Sequence, residues 1–210
     1  RPVPAANFER RCFLINYLKI HTVKRPTMEV EQTEIPEVLL IKPAVYGDER
    51  GYFKETFHQQ RYAELGIDRN FVQDNVSFSS RGVLRGLHYQ WPNPQGKLLY
   101  VLQGEIFDVA VDIRANSATF GHWVGRFLSS DNHHQLWIPE GFAHGFLVTS
   151  DTALITYKCT DLYHPADEGC VQWDDPAIGI DWPLDRIEGA PSLSGKDQQG
   201  KSLAESALEN

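Results

Sequence analysis

The chain is poor in sulfur. Its 210 residues include three cysteines, Cys12, Cys159 and Cys170, and a single methionine, Met28. An odd number of cysteines without metal-type spacing excludes a disulfide framework and a zinc knuckle. It points to a reduced, cytoplasmic setting. Long apolar runs are missing too, and none approaches the roughly 20 residues of a membrane span. Positive charge is scarce: 20 Lys and Arg stand against 28 Asp and Glu, a formal net charge of -8. That balance argues against a protein that wraps nucleic acid or lies on an anionic membrane. It still allows an anionic ligand held by one local group of cations. There is no internal repeat and no low-complexity linker, so the length suits one domain with a substantial core.

Met28 stands shortly before the first plausible strand, Val38–Ile41. Residues 1–27 therefore read as a leader, added or translated from upstream, and residues 28–210 as a single domain. The apolar letters Phe13-Leu14-Ile15 are too few, and too soon broken by Asn16 and Lys19, for a signal peptide.

Short strands fill the rest. Val38–Ile41, Phe71–Phe78, Val83–Gln90, Lys97–Gln103, Glu105–Ile113, Gly121–Leu128, Gln135–Ile138, Gly141–Val148 and Ala153–Cys159 are rich in β-branched and aromatic residues. Glycine, proline, Asn or Asp separates most of them. Period two is clearest where Phe107, Val109, Val111 and Ile113 alternate with Ile106, Asp108, Ala110 and Asp112. One face is wholly apolar and the other carries two carboxylates. The best helix is short, around Gln59–Leu65. Many strands and almost no helix predict an all-β fold, a jelly-roll sandwich or barrel with a few short helices. The tail beyond Trp182-Pro183 is polar and loop-like, and its composition alone reads as disordered.

One constellation carries chemistry. Arg85-Gly86-Leu87-His88-Tyr89-Gln90 is followed by Gln95-Gly96-Lys97, with the turn-rich connector Trp91-Pro92-Asn93-Pro94 between them. The connector predicts a hairpin that sets an imidazole and an ammonium on adjacent strands. A base beside a cation suits removal of a proton and stabilisation of the resulting anion. Strand alternation places Arg85 on the face opposite His88, unless a twist or bulge brings it round.

Pro139-Glu140-Gly141-Phe142-Ala143-His144 resembles the second half of the cupin motif. In metal-dependent cupins that histidine joins an HxH pair. Here the corresponding text is His88-Tyr89-Gln90, so the second ligand of the pair is absent, and two histidines are a poor cage for a transition metal.

Several further segments occur in order: Asp48-Glu49-Arg50-Gly51-Tyr52-Phe53, Phe71-Val72-Gln73-Asp74-Asn75, and Gly104-Glu105-Ile106-Phe107-Asp108-Val109-Ala110-Val111-Asp112. They continue through Gln135–Phe146, Trp173-Asp174-Asp175-Pro176 and Leu193-Ser194-Gly195-Lys196-Asp197. Together with the hairpin text they closely resemble the dTDP-4-dehydrorhamnose 3,5-epimerase family over about residues 30 to 200. The resemblance implies a cofactor-free cupin jelly roll without metal, a homodimer, and a dTDP-linked 4-keto-6-deoxyhexose as substrate. Carbons 3 and 5 of that sugar flank the ketone, so either proton can leave to give an enolate. Inversion then needs a base on one face and an acid on the other.

By the same resemblance His88 is the base, Asp197 its orienting carboxylate, Lys97 the enolate stabiliser and Tyr157 the proton donor. Substrate contacts fall on Arg50, Phe53, Glu55, Gln73, Asn75, Arg85, Lys97, His144, Tyr163, Glu168 and Lys196, with Phe53 and Tyr163 as packing partners for thymine or sugar. Asp108 is a candidate to orient Lys97 or His88. Three other readings stay open: an epimerase that inverts one carbon only, a metal-dependent cupin enzyme, and a non-catalytic sugar-binding jelly roll.

Overall fold

The computed structural model describes residues 27–209, so residues 1–26 of the expected leader, Cys12 among them, lie outside the described residues. Thirteen strands, one α-helix and four short 3-10 helices are described. In chain order the strands and the α-helix are β1 (Glu29–Gln32), β2 (Leu39–Lys42), β3 (Val45–Asp48), β4 (Gly51–Lys54), α1 (Gln59–Glu64), β5 (Gln73–Ser80), β6 (Leu84–Gln90) and β7 (Lys97–Gln103). There follow β8 (Glu105–Asp112), β9 (Trp123–Ser129), β10 (Gln135–Ile138), β11 (Phe142–Val148), β12 (Thr152–Cys159) and β13 (Glu168–Cys170). The nine expected strands and the helix are all there. The short, mostly polar β1, β3, β4 and β13 carry too weak an alternation to be read from the sequence.

Two antiparallel sheets make the predicted sandwich. One runs β1-β2-β10-β7-β12-β5, the other β13-β6-β11-β8-β9, and β3 and β4 form a separate hairpin. Leu99, Val101, Leu136 and Ile155 of the first sheet meet Ile106, Val124, Leu128 and Phe142 of the second in the central core. A second core covers the outer face of the five-stranded sheet. There Phe107, Val109, Val111 and Ile113 pack beneath Val171, Ile178, Trp182, Leu203 and Leu208.

This second core corrects the disordered reading of the tail. Its apolar residues are sparse, but Ile187, Leu193, Leu203 and Leu208 pack on this core, and single parallel bridges pin the tail at Val83–Ser192, Val171–Lys201 and Arg114–Leu208. Burying an apolar face of β8 outweighs the low average hydrophobicity of the segment that covers it.

The expected hairpin is also corrected. β6 pairs with β11 and β13, whereas β7 pairs with β10 and β12. The connector Trp91–Gly96 therefore crosses from one sheet to the other. Turn residues report that the chain reverses, but they do not report which strand it pairs with next. That is set by which apolar faces the two strands must bury.

Candidate active site

The cleft lies between the sheets. Gln73, Asn75, His88, Tyr89, Gln90, Gln95, Lys97, Tyr157, Tyr163 and Glu168 line one cavity of about 270 Å³. A neighbouring one of about 220 Å³ shares His88, Lys97, Tyr157 and Glu168, and adds Ser77, Arg85, His144, Phe146 and Lys196. His88 stands on the β6 wall, while Lys97 on β7 and Tyr157 on β12 belong to the opposite wall. β7 and β12 are register neighbours, with Tyr157 opposite Leu99 and Cys159 opposite Lys97.

Arg85 and His88 share a face because β6 contains an irregularity. His144 pairs with His88 but Phe146 pairs with Arg85, so three steps on β6 match two on β11. Such an extra residue turns the strand face over. Gly86 makes it possible: its φ is +118°, and a Cβ there would come within 2.5 Å of the Gly145 Cα and 2.6 Å of the His144 carbonyl oxygen. Arg85 then reaches across, its Nε donating to Ser79 Oγ on β5 at 3.1 Å.

The tail supplies Asp197. Its Oδ1 lies 2.5 Å from His88 Nε2, and its side chain is only 3% exposed. Ser194 Oγ donates to Oδ2 at 2.7 Å, and the Gly86 N–H donates weakly to Oδ1 at 3.4 Å. Burial pushes the carboxyl up, but hydrogen bonds from His88 and Ser194 and the imidazole's charge outweigh it and hold the pKa at about 2. Asp197 is thus a carboxylate at any working pH, as an orienting partner of a base must be.

Asp108 does not orient Lys97 or His88 by direct contact. It is fully buried, and its Oδ1 lies 2.8 Å from Nε2 of buried His144. Its other oxygen, Oδ2, has no partner among the described residues. Burial pushes Asp108 up, with His144 and Lys97 pulling the other way. Burial likewise lowers the pKa of His144, against the pull of Asp108. The Lys97 ammonium makes no hydrogen bond or ion pair among the described residues. Burial lowers the pKa of its ammonium, opposed by the charges of Cys159, Asp108 and Glu168. An unpaired, partly desolvated cation facing a cavity is ready to meet an oxyanion. Burial raises the phenol of Tyr157, so it holds its proton and can donate it.

At the rim, Glu168 joins two other predicted contacts. Lys196 Nζ donates to its Oε1 at 2.5 Å and Tyr163 Oη to its Oε2 at 2.8 Å. The Tyr163 N–H donates to Gln73 Oε1 at 2.9 Å, and Gln73 Nε2 to Asn75 Oδ1 at 3.0 Å. Gln90, at the position where a metal cupin has its second histidine, is 5% exposed and fully engaged with backbone. It donates to the carbonyls of Asn93 and of Leu162 and accepts from the His164 N–H. It straps two loops together instead of presenting a ligand.

Three predicted contacts are not brought to this cleft. Arg50 and Phe53 sit on the exposed β3–β4 hairpin, Arg50 paired with Asp48. Glu55 pairs with Arg61 at 2.6 Å. Conversely, Ser77, Tyr89, Gln95 and Phe146 line the cleft without having been singled out. Period two along β5 would have given Ser77, two residues beyond Asn75, and along β11 Phe146, two beyond His144. Cys170 was also missed as a neighbour of the dyad. Its place opposite His88 depends on β13, which has no readable pattern.

The family model for dTDP-4-dehydrorhamnose 3,5-epimerase matches residues 32–205. A dTDP-4-dehydrorhamnose 3,5-epimerase of Methanothermobacter thermautotrophicus is 54% identical over 177 residues, covering 84% of this chain and 95% of its own. The crystal structure of dTDP-6-deoxy-D-glucose-3,5-epimerase from Legionella pneumophila Philadelphia 1, in complex with dTDP-4-keto-L-rhamnose, is 53% identical with a TM-score of 0.83. That match covers 87% of this chain and 98% of the other. A 3'-monoepimerase from Streptomyces bikiniensis, in complex with dTDP-quinovose, is 33% identical with a TM-score of 0.76, over 83% and 87% of the two chains.

Proposed function

The chain belongs to the dTDP-4-dehydrorhamnose 3,5-epimerase family, and from that premise we propose how its cleft inverts two carbons of one sugar. The protein is an isomerase that epimerises dTDP-4-dehydro-6-deoxy-D-glucose at carbons 3 and 5 to dTDP-4-dehydro-L-rhamnose. The observation that carries the mechanism is the placement of His88 on one sheet and of Tyr157 and Lys97 on the other. A sugar ring held between the walls meets a base on one face and an acid on the other.

Asp197 takes the N–H of one ring nitrogen of His88, which leaves the other nitrogen as the base. That nitrogen accepts the proton next to the ketone, and the electron pair moves onto the carbonyl oxygen. The Lys97 ammonium stabilises the enolate oxygen, and the imidazolium is stabilised by Asp197. Tyr157 then donates its proton to the same carbon from the opposite face. After each inversion His88 carries an extra proton and Tyr157 lacks one, so both exchange with solvent before the second carbon reacts. Enolisation beside a ketone calls only for a base, a cation and an acid, and these three side chains supply it without a cofactor.

Arg85, Lys196 and His144 supply cations and donors for the substrate, with Gln73, Asn75, Tyr163 and Glu168 at the rim. Arg50, Phe53 and Glu55 serve the cleft of a second copy in a homodimer. Supporting this, Phe53, Val72, Val76 and Phe78 leave large apolar side chains exposed, which is costly unless another surface covers them. Among the described residues no helix is long and apolar enough to cross a membrane. Cys159 and Cys170 are unpaired thiols, as a reducing cytoplasm leaves them.

The likeness to a monoepimerase favours a second reading, inversion at one carbon only. Reaction in deuterated water, followed by NMR of the product, separates the two. Deuterium at carbons 3 and 5, each inverted, is the expected result, and label at one carbon alone overturns the double inversion.

A further inference from the structure

Beside the dyad stands a donor that the reaction does not use. Cys170 on β13 is the register partner of His88 on β6. One ligand atom each from His88, Cys170 and Asp197 lies within 4.8 Å of the other two. The thiol is half-buried and makes one weak contact, to the Val171 carbonyl at 3.6 Å. An imidazole nitrogen, a sulfur and a carboxylate oxygen form the donor mixture that zinc and similar thiophilic ions take.

We propose that His88, Cys170 and Asp197 form an inhibitory site for a thiophilic divalent cation, zinc or cadmium, which stops the enzyme by taking the base out of its dyad. The inference rests on the reading of His88 as the base. Geometry makes the ion an inhibitor and not a cofactor. His88 Nε2 and Asp197 Oδ1, at 2.5 Å, are spaced to share a proton. Two ligands of one zinc, each bonded at about 2.0 Å in a tetrahedral arrangement, stand roughly 3.3 Å apart. Hydrogen bond and metal therefore exclude one another; binding needs an N···O opening of under about 1 Å, and the sulfur, now within 4.8 Å of both atoms, closing to roughly 3.5 Å from them. Once bound, the ion holds the Nε2 lone pair of His88 and the Asp197 oxygen that would have steadied the imidazolium; the proton of Nε2 passes through solvent to Nδ1, so the nitrogen that would act as base is occupied.

Coordination requires the thiolate, so the thiol proton leaves to solvent as the sulfur–metal bond forms. The ion must displace that proton at neutral pH, and inhibition strengthens as pH rises. The charged groups around the sulfur are Glu168 on its own strand, His88 on β6, and Lys196 and Asp197 on the tail. Only Lys196 is a permanent positive charge, and it is held by Glu168 at 2.5 Å.

The test is deuterium washout from substrate, measured with zinc or cadmium ions in a non-coordinating buffer. Micromolar ion is expected to inhibit the wild type, more strongly at pH 8 than at pH 6. One cadmium ion per chain should also give the ultraviolet charge-transfer band of a cadmium thiolate. Cys170→Ser should keep its metal-free activity, lose the band, and need at least tenfold more ion for the same inhibition. Cys170→Ala provides the same comparison if the serine variant does not fold. Equal inhibition and an unchanged band in either variant overturn the site, as does a wild type indifferent to millimolar ion. Should the wild type wash out no substrate protons, the epimerase reading fails instead, and the band and its loss still decide the metal site.

Discussion

Replacing Asp197 by asparagine isolates the charge of the dyad from its shape. The side chain is 3% exposed, so asparagine fits the same space, and its carbonyl can still accept from His88 while its amide turns toward Ser194 Oγ. What disappears is the negative charge. The folded protein holds the Asp197 pKa at about 2 against an ordinary 3.8, a preference for the carboxylate worth about 2 kcal/mol. If the same interactions stabilise the imidazolium formed as the proton leaves, their loss slows turnover by roughly one to two orders of magnitude. The comparable carboxylate-to-amide change in a serine-protease triad costs about 10⁴, which marks the upper end.

The assay is the initial rate of deuterium incorporation at each carbon, with kcat and KM separated. Asp197→Asn should lower kcat by about 10² and leave KM within about threefold, because Asp197 does not line the cleft. A stability arm runs alongside it. A depressed carboxyl contributes stability above its unfolded pKa of 3.8 and loses it as pH falls through about 2. Urea unfolding should therefore show the wild type ahead of the variant by about 2 kcal/mol at pH 7, and the gap closing between pH 4 and pH 2. A variant that matches wild-type kcat would refute the dyad, whatever its stability.

Tyr157→Phe keeps the base and the cation but removes the opposite acid. It should bind nucleotide normally and continue to exchange substrate protons from the His88 side, while inversion falls by about 10²; inversion at the wild-type rate removes Tyr157 from the mechanism. Gly86→Ala should collapse the irregularity that sets Arg85 and His88 on one face. The new Cβ would meet backbone at 2.5 and 2.6 Å, so a loss of at least about 2 kcal/mol in urea unfolding is expected, with activity falling in proportion to misplacement of both side chains. A fully stable and active alanine variant would show that the strand relaxes without its bulge.

Much of this protein is legible in its sequence. Turn residues and period two placed nine strands, because a side chain's inward or outward preference is a local property of a pleated backbone. The order of the motifs identified the family, and through it His88, Lys97, Tyr157 and Asp197. Alternation could also say that Arg85 needed a bulge to join His88, although it could not say that Gly86 supplies one.

Pairing was a different matter. Adjacent text suggested that His88 and Lys97 share a hairpin, whereas the chain crosses between sheets and sets them on opposite walls, as a reaction with two faces requires. Asp108 was placed on the right face but given the wrong neighbours, since its bond to His144 depends on which strand lies beside β8. The tail that delivers Asp197 looked disordered because its composition is polar, yet a few spaced apolar residues suffice to bury the outer face of β8. The sequence by itself determined where strands form and which chemical groups they carry, since those follow from residue type and local period. Only the tertiary structure decided which groups meet, because strand pairing and tail docking answer to apolar faces buried between residues far apart in the chain.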